Sequence, residues 1–356
     1  MDRLIASILT LVLATIGLPP SAAAQLTLKQ QAGQRVIYSY PGLTPPPELL
    51  QDIRNGEVAG VIFFKDNITG TDQIHSVINQ LTTANEQSPV KAPLLMMTDQ
   101  EGGLVRRLPG APTMSAKQVG QAANPIAAAE ESGTTAGENL RSAGMNVNLA
   151  PVLDVYRKPG DFLDQAQRSY SQDPLTVKNL GRGFVTAQQR ITGVAATGKH
   201  FPGLGSAATQ QNTDQGPVTL NVPLSTLRTV DEQPYTAGAK LIMLSWAIYP
   251  ALDASLPAGL SPTVIQNELR ERIGYTGVTI SDAIEAGALQ SYGTTGQRVT
   301  SAAKAGIDLL LCSARNVQQG QDAVTALANG LGNGQLDRAT FTSASQRVTA
   351  LRVSVG

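Results

Sequence analysis

The sequence predicts a single (β/α)8 barrel of the TIM type, and three observations favour this fold class. Eight short apolar runs recur along the 356 residues. The segments between them are mostly amphipathic and long enough for the crossover helices that parallel strands require. A length of about 330 residues, after a short N-terminal segment is set aside, is ordinary for one such barrel.

The eight apolar runs are the predicted strands. They lack the polar alternation of a half-exposed strand, which is typical of parallel strands buried on both faces. The runs are Arg35–Tyr38, Gly60–Phe64, Leu94–Thr98, Met145–Ala150, Gly193–Gly198, Leu241–Ser245, Gly277–Ser281 and Gly306–Cys312.

The segments between the runs carry helix signals. Asn124 before Pro125 is typical of an N-cap followed by proline at the first helical position. Gly144 and Gly274 stand where glycine ends a helix. Predicted helices include Pro47–Asn55, Thr71–Asn85, Pro125–Ala143, Leu175–Arg190 and Pro262–Ile273. A doubly wound open sheet is the alternative, but no glycine-rich nucleotide fingerprint follows the early strands.

Residues 1–24 are predicted to be a signal peptide, which leaves a barrel domain over residues 25–356. Arg3 is followed by the apolar core Leu4–Ile16, which is too short for a comfortable membrane span. Ala22-Ala23-Ala24 offers a cleavage site. We therefore expect a bacterial protein that is secreted or held in the cell envelope, with an uncleaved anchor as the alternative.

The composition limits the classes of partner. Lys and Arg number 27 and so do Asp and Glu, which disfavours nucleic acid or an anionic membrane surface. One cysteine, Cys312, excludes an intrachain disulfide, and two histidines, His75 and His200, are too few for a Cys/His metal cluster. His75 lies in a helix pattern typical of a surface residue. We expect a monomer that binds a saccharide and uses no metal and no cofactor.

Polar residues follow the predicted strands, where the chemistry of a barrel is found. Burying such charges without partners is unfavourable, so four strands that end this way predict one polar cavity. A cavity with both donors and acceptors suits a polyhydroxylated ligand. The residues are Asp99 and Arg107 after the third run, Asp154 and Arg168 after the fourth, Lys199 and His200 after the fifth, and Asp282 after the seventh.

Some of these positions have a second interpretation. Asp154 either faces the cavity or pairs with a nearby arginine or lysine. Trp246, the only tryptophan, either stacks on a sugar or packs in the core. Glu285 is either catalytic or a first-turn helix residue. Arg106 and Arg107 are adjacent, so we expect only one of them to face the cavity.

Four motifs resemble glycoside hydrolase family 3, and most closely its single-domain β-N-acetylhexosaminidases, which act on peptidoglycan fragments. The resemblance covers nearly the whole chain after residue 24, in order. The motifs are Asp99-Gln100-Glu101-Gly102-Gly103, Asn148-Leu149-Ala150-Pro151-Val152-Leu153-Asp154, Lys199-His200-Phe201-Pro202-Gly203 and Ser281-Asp282.

The resemblance implies roles for particular residues. Asp282 is expected to attack the anomeric carbon and form a glycosyl-enzyme that water releases with retention of configuration. The family's sugar-binding positions correspond here to Asp99, Arg107, Arg168, Lys199 and His200. The activity so implied is hydrolysis of terminal β-linked N-acetylhexosamine by a retaining exo-glycosidase.

One departure from the family concerns the general acid/base. The single-domain hexosaminidases carry an Asp-x-His pair after the Lys-His-Phe-Pro-Gly motif, whereas this chain has Gln210-Gln211-Asn212-Thr213-Asp214 there. Ungapped alignment puts Asn212 where the histidine should be. Asp214 is the best substitute, although burial would have to raise its pKa from about 3.9. The alternative is that Asp214 caps the loop.

Three functions remain open from the sequence. The first is an active β-N-acetylhexosaminidase, and the second is a saccharide-binding relative without catalysis. The third is a β-glucosidase or β-xylosidase of the same family. Retention of Asp282 favours an enzyme, while the missing histidine favours the binding protein.

Overall fold

The computed structural model describes residues 26–356, and eight parallel strands form its centre. Each strand falls on one of the eight predicted runs, which confirms the predicted fold class. The fifth continues to Phe201, three residues beyond the predicted end at Gly198. The strands are β1 Val36–Tyr38, β2 Gly60–Ile62, β3 Leu95–Thr98, β4 Val147–Asn148, β5 Ala195–Phe201, β6 Leu241–Leu244, β7 Val278–Ser281 and β8 Leu310–Leu311.

The strands follow one another around a ring. Their order is β7-β6-β5-β4-β3-β2-β1-β8, and all neighbours are parallel. A parallel bridge between Ile280 and Leu309 joins β7 to the start of β8. The Ser281 N–H also donates to the Leu309 carbonyl at 2.9 Å. The sheet therefore closes into a barrel, and its loops gather at two opposite ends.

Helices cover the outside of the barrel. The described α-helices are Leu28–Gly33, Pro47–Arg54, Thr71–Glu86, Ala116–Gly120, Pro125–Ser142, Phe162–Gln165, Pro174–Ala187, Leu224–Thr226, Thr295–Ala305, Val317–Gly332 and Arg338–Val355. Three π-helical segments lie at Gln188–Thr192, Leu227–Asp231 and Thr263–Arg272. Two short antiparallel hairpins, Gln100–Gly102 with Val105–Arg106 and Ile248–Tyr249 with Asp253–Pro257, lie outside the barrel sheet.

The helix boundaries follow the signals in the sequence. The Asn124 side chain accepts the Ala127 N–H at 3.3 Å, and Pro125 is the first helical residue. Gly144 has φ +86° and Gly274 has φ +77°, the left-handed values that favour glycine at a helix end. The predicted helix Leu175–Arg190 is instead an α-helix that passes into a π-helical turn.

Strand residues alternate between the inside and the outside of the barrel. On β3, Leu95 and Met97 pack in the interior cluster, whereas Met96 packs in the larger cluster beneath the helices. Val348 and Leu351 of the C-terminal helix belong to the interior cluster as well. That helix therefore covers the amino-terminal end of the barrel, and the carboxyl-terminal end is left for a cavity.

The predicted signal peptide, residues 1–24, lies outside the described residues. Within residues 26–356, no helix combines the length and the apolar character that a membrane span requires. Cys312 is fully buried, and burial raises the pKa of its thiol well above the ordinary value, as expected for an inert core cysteine.

Candidate active site

One cavity of about 580 Å³ lies at the carboxyl-terminal end of the barrel. Interior residues such as Leu149 and Met243 form part of its apolar wall. The volume is within the usual range for a small-molecule site. All seven side chains proposed for the site from the sequence line it: Asp99, Arg107, Arg168, Lys199, His200, Asp214 and Asp282.

Four charged side chains form a neutral cluster on one side of the cavity. Lys199 Nζ lies 2.7 Å from Asp99 Oδ1 and 2.7 Å from Glu101 Oε1. Arg168 donates to both oxygens of Glu101, at 2.9 and 2.8 Å. Bidentate contacts of this kind hold the guanidinium in one plane. The cluster thus presents fixed donors and acceptors to a ligand.

Glu101 is the cluster residue that the sequence-based assignment omits. Burial of Glu101 opposes its ionisation, but the charges of Arg168 and Lys199 hold its pKa well below the usual range. At Lys199 burial favours the neutral amine, but the Asp99 and Glu101 carboxylates outweigh this effect and raise the pKa of the ammonium group. Both groups are therefore charged at neutral pH.

A bulge in β5 brings two consecutive side chains to the cavity. Gly198 pairs with Ile242 and Phe201 pairs with Leu244, so β5 has one residue more than β6 over this stretch. Consecutive residues of a regular strand point to opposite faces, and an extra residue breaks that alternation. Lys199 and His200 both line the cavity for this reason.

Asp154 lies behind His200 and fixes its ring. The fully buried carboxylate contacts His200 Nδ1 at 2.8 Å and accepts the Leu204 N–H at 2.6 Å and the Tyr235 hydroxyl at 3.1 Å. Since a carboxylate only accepts, Nδ1 supplies the hydrogen in this contact. Asp154 is thus a structural partner, but of a histidine rather than of an arginine or lysine.

The arginine pair behaves as the sequence predicts. Arg107 lines the cavity, and its Nη2 lies 3.7 Å from Asp99 Oδ2. Arg106 instead donates to the backbone carbonyls of Gly103 and Gly110. Only one of the two guanidinium groups is therefore available to a ligand in the cavity.

Asp282 stands immediately after β7. Its side chain is half-buried, and Oδ1 accepts the Ala283 N–H at 2.8 Å. The preceding Ser281 Oγ accepts the Leu311 N–H at 2.9 Å, which ties the end of β7 to β8. The carboxylate is therefore held on a rigid strand end and faces the cavity.

The side chains of Trp246 and Glu285 make hydrogen bonds that hold the loops around Asp282 together. Trp246 is 1% exposed, and its Nε1 donates to the Ala283 carbonyl at 2.9 Å. Glu285 lines the cavity but accepts from Ser313 Oγ at 2.7 Å and from Gln319 Nε2 at 3.0 Å. It lies in a turn, not in the first turn of an α-helix. Trp246 packs, and Glu285 joins two loops.

Asp214 reaches the cavity from the long loop after β5. The residue is exposed at the cavity, yet the surrounding walls limit the hydration of its carboxyl. This desolvation, followed by repulsion from Asp282, raises the pKa of Asp214, while His200 and Arg168 oppose the increase. The two carboxyls thus lie in different environments within one cavity.

The arrangement suits acid–base and nucleophilic chemistry on a polyhydroxylated ligand. Within residues 26–356, no group of three or more His, Cys, Asp or Glu side chains is placed to hold a metal ion. The cavity instead offers one half-buried carboxylate, one carboxyl with a raised pKa and a fixed cluster of hydrogen-bonding charges.

Comparison with other sequences identifies the protein family to which the chain is similar. The sequence profile of the glycosyl hydrolase family 3 N terminal domain matches residues 25–351. An uncharacterized secreted glycosyl hydrolase of Arthroderma benhamiae is 45% identical over 336 residues, which are 93% of this chain and 94% of that protein. A β-hexosaminidase of Stenotrophomonas maltophilia is 32% identical over 305 residues, which are 80% of this chain and 87% of that protein.

Solved structures show the same architecture. The glycoside hydrolase family 3 β-N-acetylglucosaminidase from a Paenibacillus species matches with a TM-score of 0.86 and 31% identity. The match covers 93% of this chain but 63% of that longer one. The β-N-acetylhexosaminidase from Beutenbergia cavernae matches with a TM-score of 0.83 and 30% identity, over 92% of this chain and 99% of that one.

Proposed function

Because the chain belongs to glycoside hydrolase family 3, we propose that it is a retaining exo-glycosidase that removes terminal β-linked N-acetylhexosamine from cell-wall type saccharides. The observation that carries the proposal is the pair Asp282 and Asp214, two carboxyls that line one cavity and of which Asp214 has a raised pKa. The related β-hexosaminidases and β-N-acetylglucosaminidases support the choice of sugar.

The charged cluster binds the terminal sugar in this proposal. Asp99 accepts hydrogen bonds from sugar hydroxyls, and Lys199 and Arg168 donate to others, while Glu101 holds both cations in place. Arg107 and His200 contribute further donor and acceptor groups to the same cavity. Charge-assisted hydrogen bonds of this kind contribute about 1.5–3 kcal/mol each.

The first chemical step replaces the aglycone with the enzyme. An Asp282 carboxylate oxygen attacks the anomeric carbon as the bond from that carbon to the glycosidic oxygen breaks. The protonated Asp214 gives its proton to the departing oxygen, so the aglycone leaves as a neutral alcohol. A raised pKa is what this role requires of Asp214.

The second step releases the sugar. Asp214, now a carboxylate, removes a proton from water as that water attacks the anomeric carbon of the glycosyl-enzyme. The ester bond to Asp282 breaks, its carboxylate is restored and Asp214 is protonated again. Two inversions at the same carbon give net retention.

Variants at the two carboxyls test the proposal. Asp282→Ala should abolish hydrolysis of 4-nitrophenyl β-N-acetylglucosaminide. Asp214→Asn should lower kcat/KM for the β-1,4-linked N-acetylglucosamine disaccharide by about 10²–10⁴-fold, because an alcohol leaving group needs a proton. The same variant should retain most kcat/KM for the 2,4-dinitrophenyl glycoside, whose leaving group needs none.

Other outcomes point to other functions. If wild type and Asp282→Ala are equally inert on every aryl glycoside, the enzyme proposal fails and a saccharide-binding role remains, which Asn212 in the expected histidine position favours. If 4-nitrophenyl β-glucoside or β-xyloside is hydrolysed faster than the N-acetylglucosaminide, the choice of sugar is wrong.

We also propose that the protein acts outside the cytoplasm. The signal-like segment 1–24 and the secreted Arthroderma benhamiae relative support this location. Fractionation of the producing cells tests it, and retention of the unprocessed chain in the cytoplasm would contradict it. We expect a monomer in solution, which light scattering checks.

A further inference from the structure

The loop that carries Asp214 is attached by its backbone to the segment that follows Asp282. The Gly287 N–H donates to the Asp214 carbonyl at 2.9 Å, and the Ala288 N–H donates to the Thr213 carbonyl at 3.0 Å. Hydrogen bonds at two successive residues fix both the spacing and the orientation of the two segments. The proposed acid and the proposed nucleophile therefore stand on directly connected pieces of backbone.

Gly287 is placed where no side chain fits. A Cβ at this position would lie 2.4 Å from the carbonyl carbon of Gln215 and 2.8 Å from the carbonyl oxygen of Asp214. Both neighbours are backbone atoms, which cannot turn away as a flexible side chain can. The φ of Gly287 lies outside the left-handed region. Space, rather than torsion angle, thus explains the glycine.

The segment after Asp282 is itself anchored to the barrel. The Ile284 N–H donates to the Leu311 carbonyl of β8 at 3.1 Å. Glu285 accepts from Ser313 Oγ at 2.7 Å, and the Ala283 carbonyl accepts from the buried indole of Trp246. These contacts hold the segment against the ends of β6 and β8, so it offers the loop a fixed support.

Asn212 shapes the other side of this contact. Its Oδ1 accepts the Asp214 N–H at 2.9 Å, and its carbonyl accepts the Gln215 N–H at 3.1 Å and the Gly216 N–H at 3.2 Å. A short polar side chain that binds its own backbone in this way stabilises a tight turn. The residue that replaces the expected histidine thus orients Asp214.

We propose that residues 212–215 and 284–288 form a clasp that fixes the Asp214 backbone relative to Asp282 and so limits where the Asp214 carboxyl can lie, with Gly287 and Asn212 as positioning residues. The inference rests on the proposed role of Asp214 in proton transfer. A displacement of about 1 Å in a catalytic group can reduce a rate by about 10²-fold, so such a clasp has a measurable effect. Repulsion between the two carboxyls, which raises the pKa of Asp214, is consistent with their closeness.

Gly287→Ala tests the clasp directly. A methyl group there must push the 213–215 backbone away, and Asp214 with it. The expected result is a loss of about 10–100-fold in kcat/KM for the N-acetylglucosamine disaccharide, with little change for the 2,4-dinitrophenyl glycoside. The alkaline limb of the disaccharide pH profile should move to lower pH, because Asp214 becomes better hydrated and more distant from Asp282.

Gly216→Ala is the matched control in the same loop. A Cβ at Gly216 has no neighbour within 4 Å, and its φ is outside the left-handed region. This variant should keep the wild-type kcat/KM for both substrates. It therefore separates the effect of the clasp from that of any added methyl group in the loop.

Asn212→Ala provides a second test if Gly287→Ala fails to fold. It removes the acceptor of the Asp214 N–H but adds no atoms, and it should lower kcat/KM for the disaccharide about tenfold with the same selectivity between leaving groups. The clasp is refuted if both variants match Gly216→Ala, or if both substrates lose activity equally. If Asp214→Asn itself leaves disaccharide hydrolysis intact, the proposed function of Asp214 is wrong instead.

Discussion

At the scale of single residues, the surroundings of Asp214 decide the pH range of the proposed reaction. An ordinary aspartate titrates near a pKa of about 3.9 and holds no proton at neutral pH. Limited hydration and the Asp282 and Glu285 carboxylates raise the pKa of Asp214, whereas His200 and Arg168 lower it. The net direction is upward, so the proton is retained to higher pH.

A pH profile follows from that direction. The acid must be protonated, so kcat/KM for the N-acetylglucosamine disaccharide should fall as pH rises through the raised pKa of Asp214, at a midpoint above about 3.9. The measurement is the pH dependence of kcat/KM for the disaccharide and for the 2,4-dinitrophenyl glycoside. The second profile should lack this alkaline limb, and an identical limb in both would contradict the assignment.

The sequence identifies residues at strand ends well and their mutual contacts poorly. Asp99 and Lys199 are visible because each is a charge at the end of an apolar run. Glu101 could also have been found from the sequence. It lies two residues after Asp99, and residues two apart in an extended segment point to the same face. The contact between Asp154 and His200 depends on how β4 and β5 lie together, which local pattern does not record.

At the scale of elements, the ends of β6 and β7 are joined by the Trp246 indole. Its hydrogen bond reaches Ala283, the residue after Asp282. Gly259 lies against the indole ring, where a Cβ would approach to 2.4 Å. The loop after β6 therefore sets the path of the chain that leaves β7, and with it the direction of the Asp282 carboxylate.

Trp246→Phe should lower kcat about tenfold and leave KM nearly unchanged, because it removes the donor to Ala283 and lets Asp282 shift. Steady-state kinetics on 4-nitrophenyl β-N-acetylglucosaminide checks this expectation. Tyr275→Phe is the control: it removes hydrogen bonds from the phenol to Lys240 and Val278 at the opposite ends of the same strands. An equal loss of kcat in both variants would indicate general destabilisation instead.

Irregular elements are where prediction from the sequence stops short. The π-helical turn Gln188–Thr192 continues an α-helix without a break in the apolar pattern, so the two are predicted as one helix. The bulge at Lys199 arises from pairing with β6, since the extra residue has meaning only against a partner strand. The bulge therefore comes from a neighbour distant in sequence.

At the scale of the whole molecule, the C-terminal helix Arg338–Val355 closes the end of the barrel opposite the cavity. Arg352 is 1% exposed and donates to the carbonyls of Pro93 at 2.6 Å and Ala92 at 2.8 Å, just before β3. It also contacts Gln34, which precedes β1. Burial lowers the pKa of this guanidinium to about 10, which leaves it charged at neutral pH.

Arg352→Ala should destabilise the protein by about 2–4 kcal/mol, because buried carbonyls lose a charged donor. Activity at 25 °C should be unchanged, since the helix lies at the far end of the barrel. Urea unfolding and steady-state kinetics check the two parts. Arg338→Ala, an exposed position on the same helix, should change neither. A large loss of kcat in Arg352→Ala would show coupling between the two ends.

The fold class follows from the sequence because each buried strand leaves its own apolar run. The closure of the ring does not, since it depends on the pairing of β1 with β8 and on the bridge between Ile280 and Leu309. These contacts join residues from opposite parts of the chain. Local patterns give the number of strands, but they do not show that β8 pairs with β1 and β7 to close the ring.

The pairing of β1 with β8 has a consequence for synthesis. As the chain emerges from the ribosome, β1 can pair with β2, but its other edge stays open until residues 310–311 follow. An open edge of backbone donors and acceptors is a site for aggregation or for capture by chaperones. The β1 edge therefore stays open for most of translation, and the ring can close only after residues 310–311 have been made.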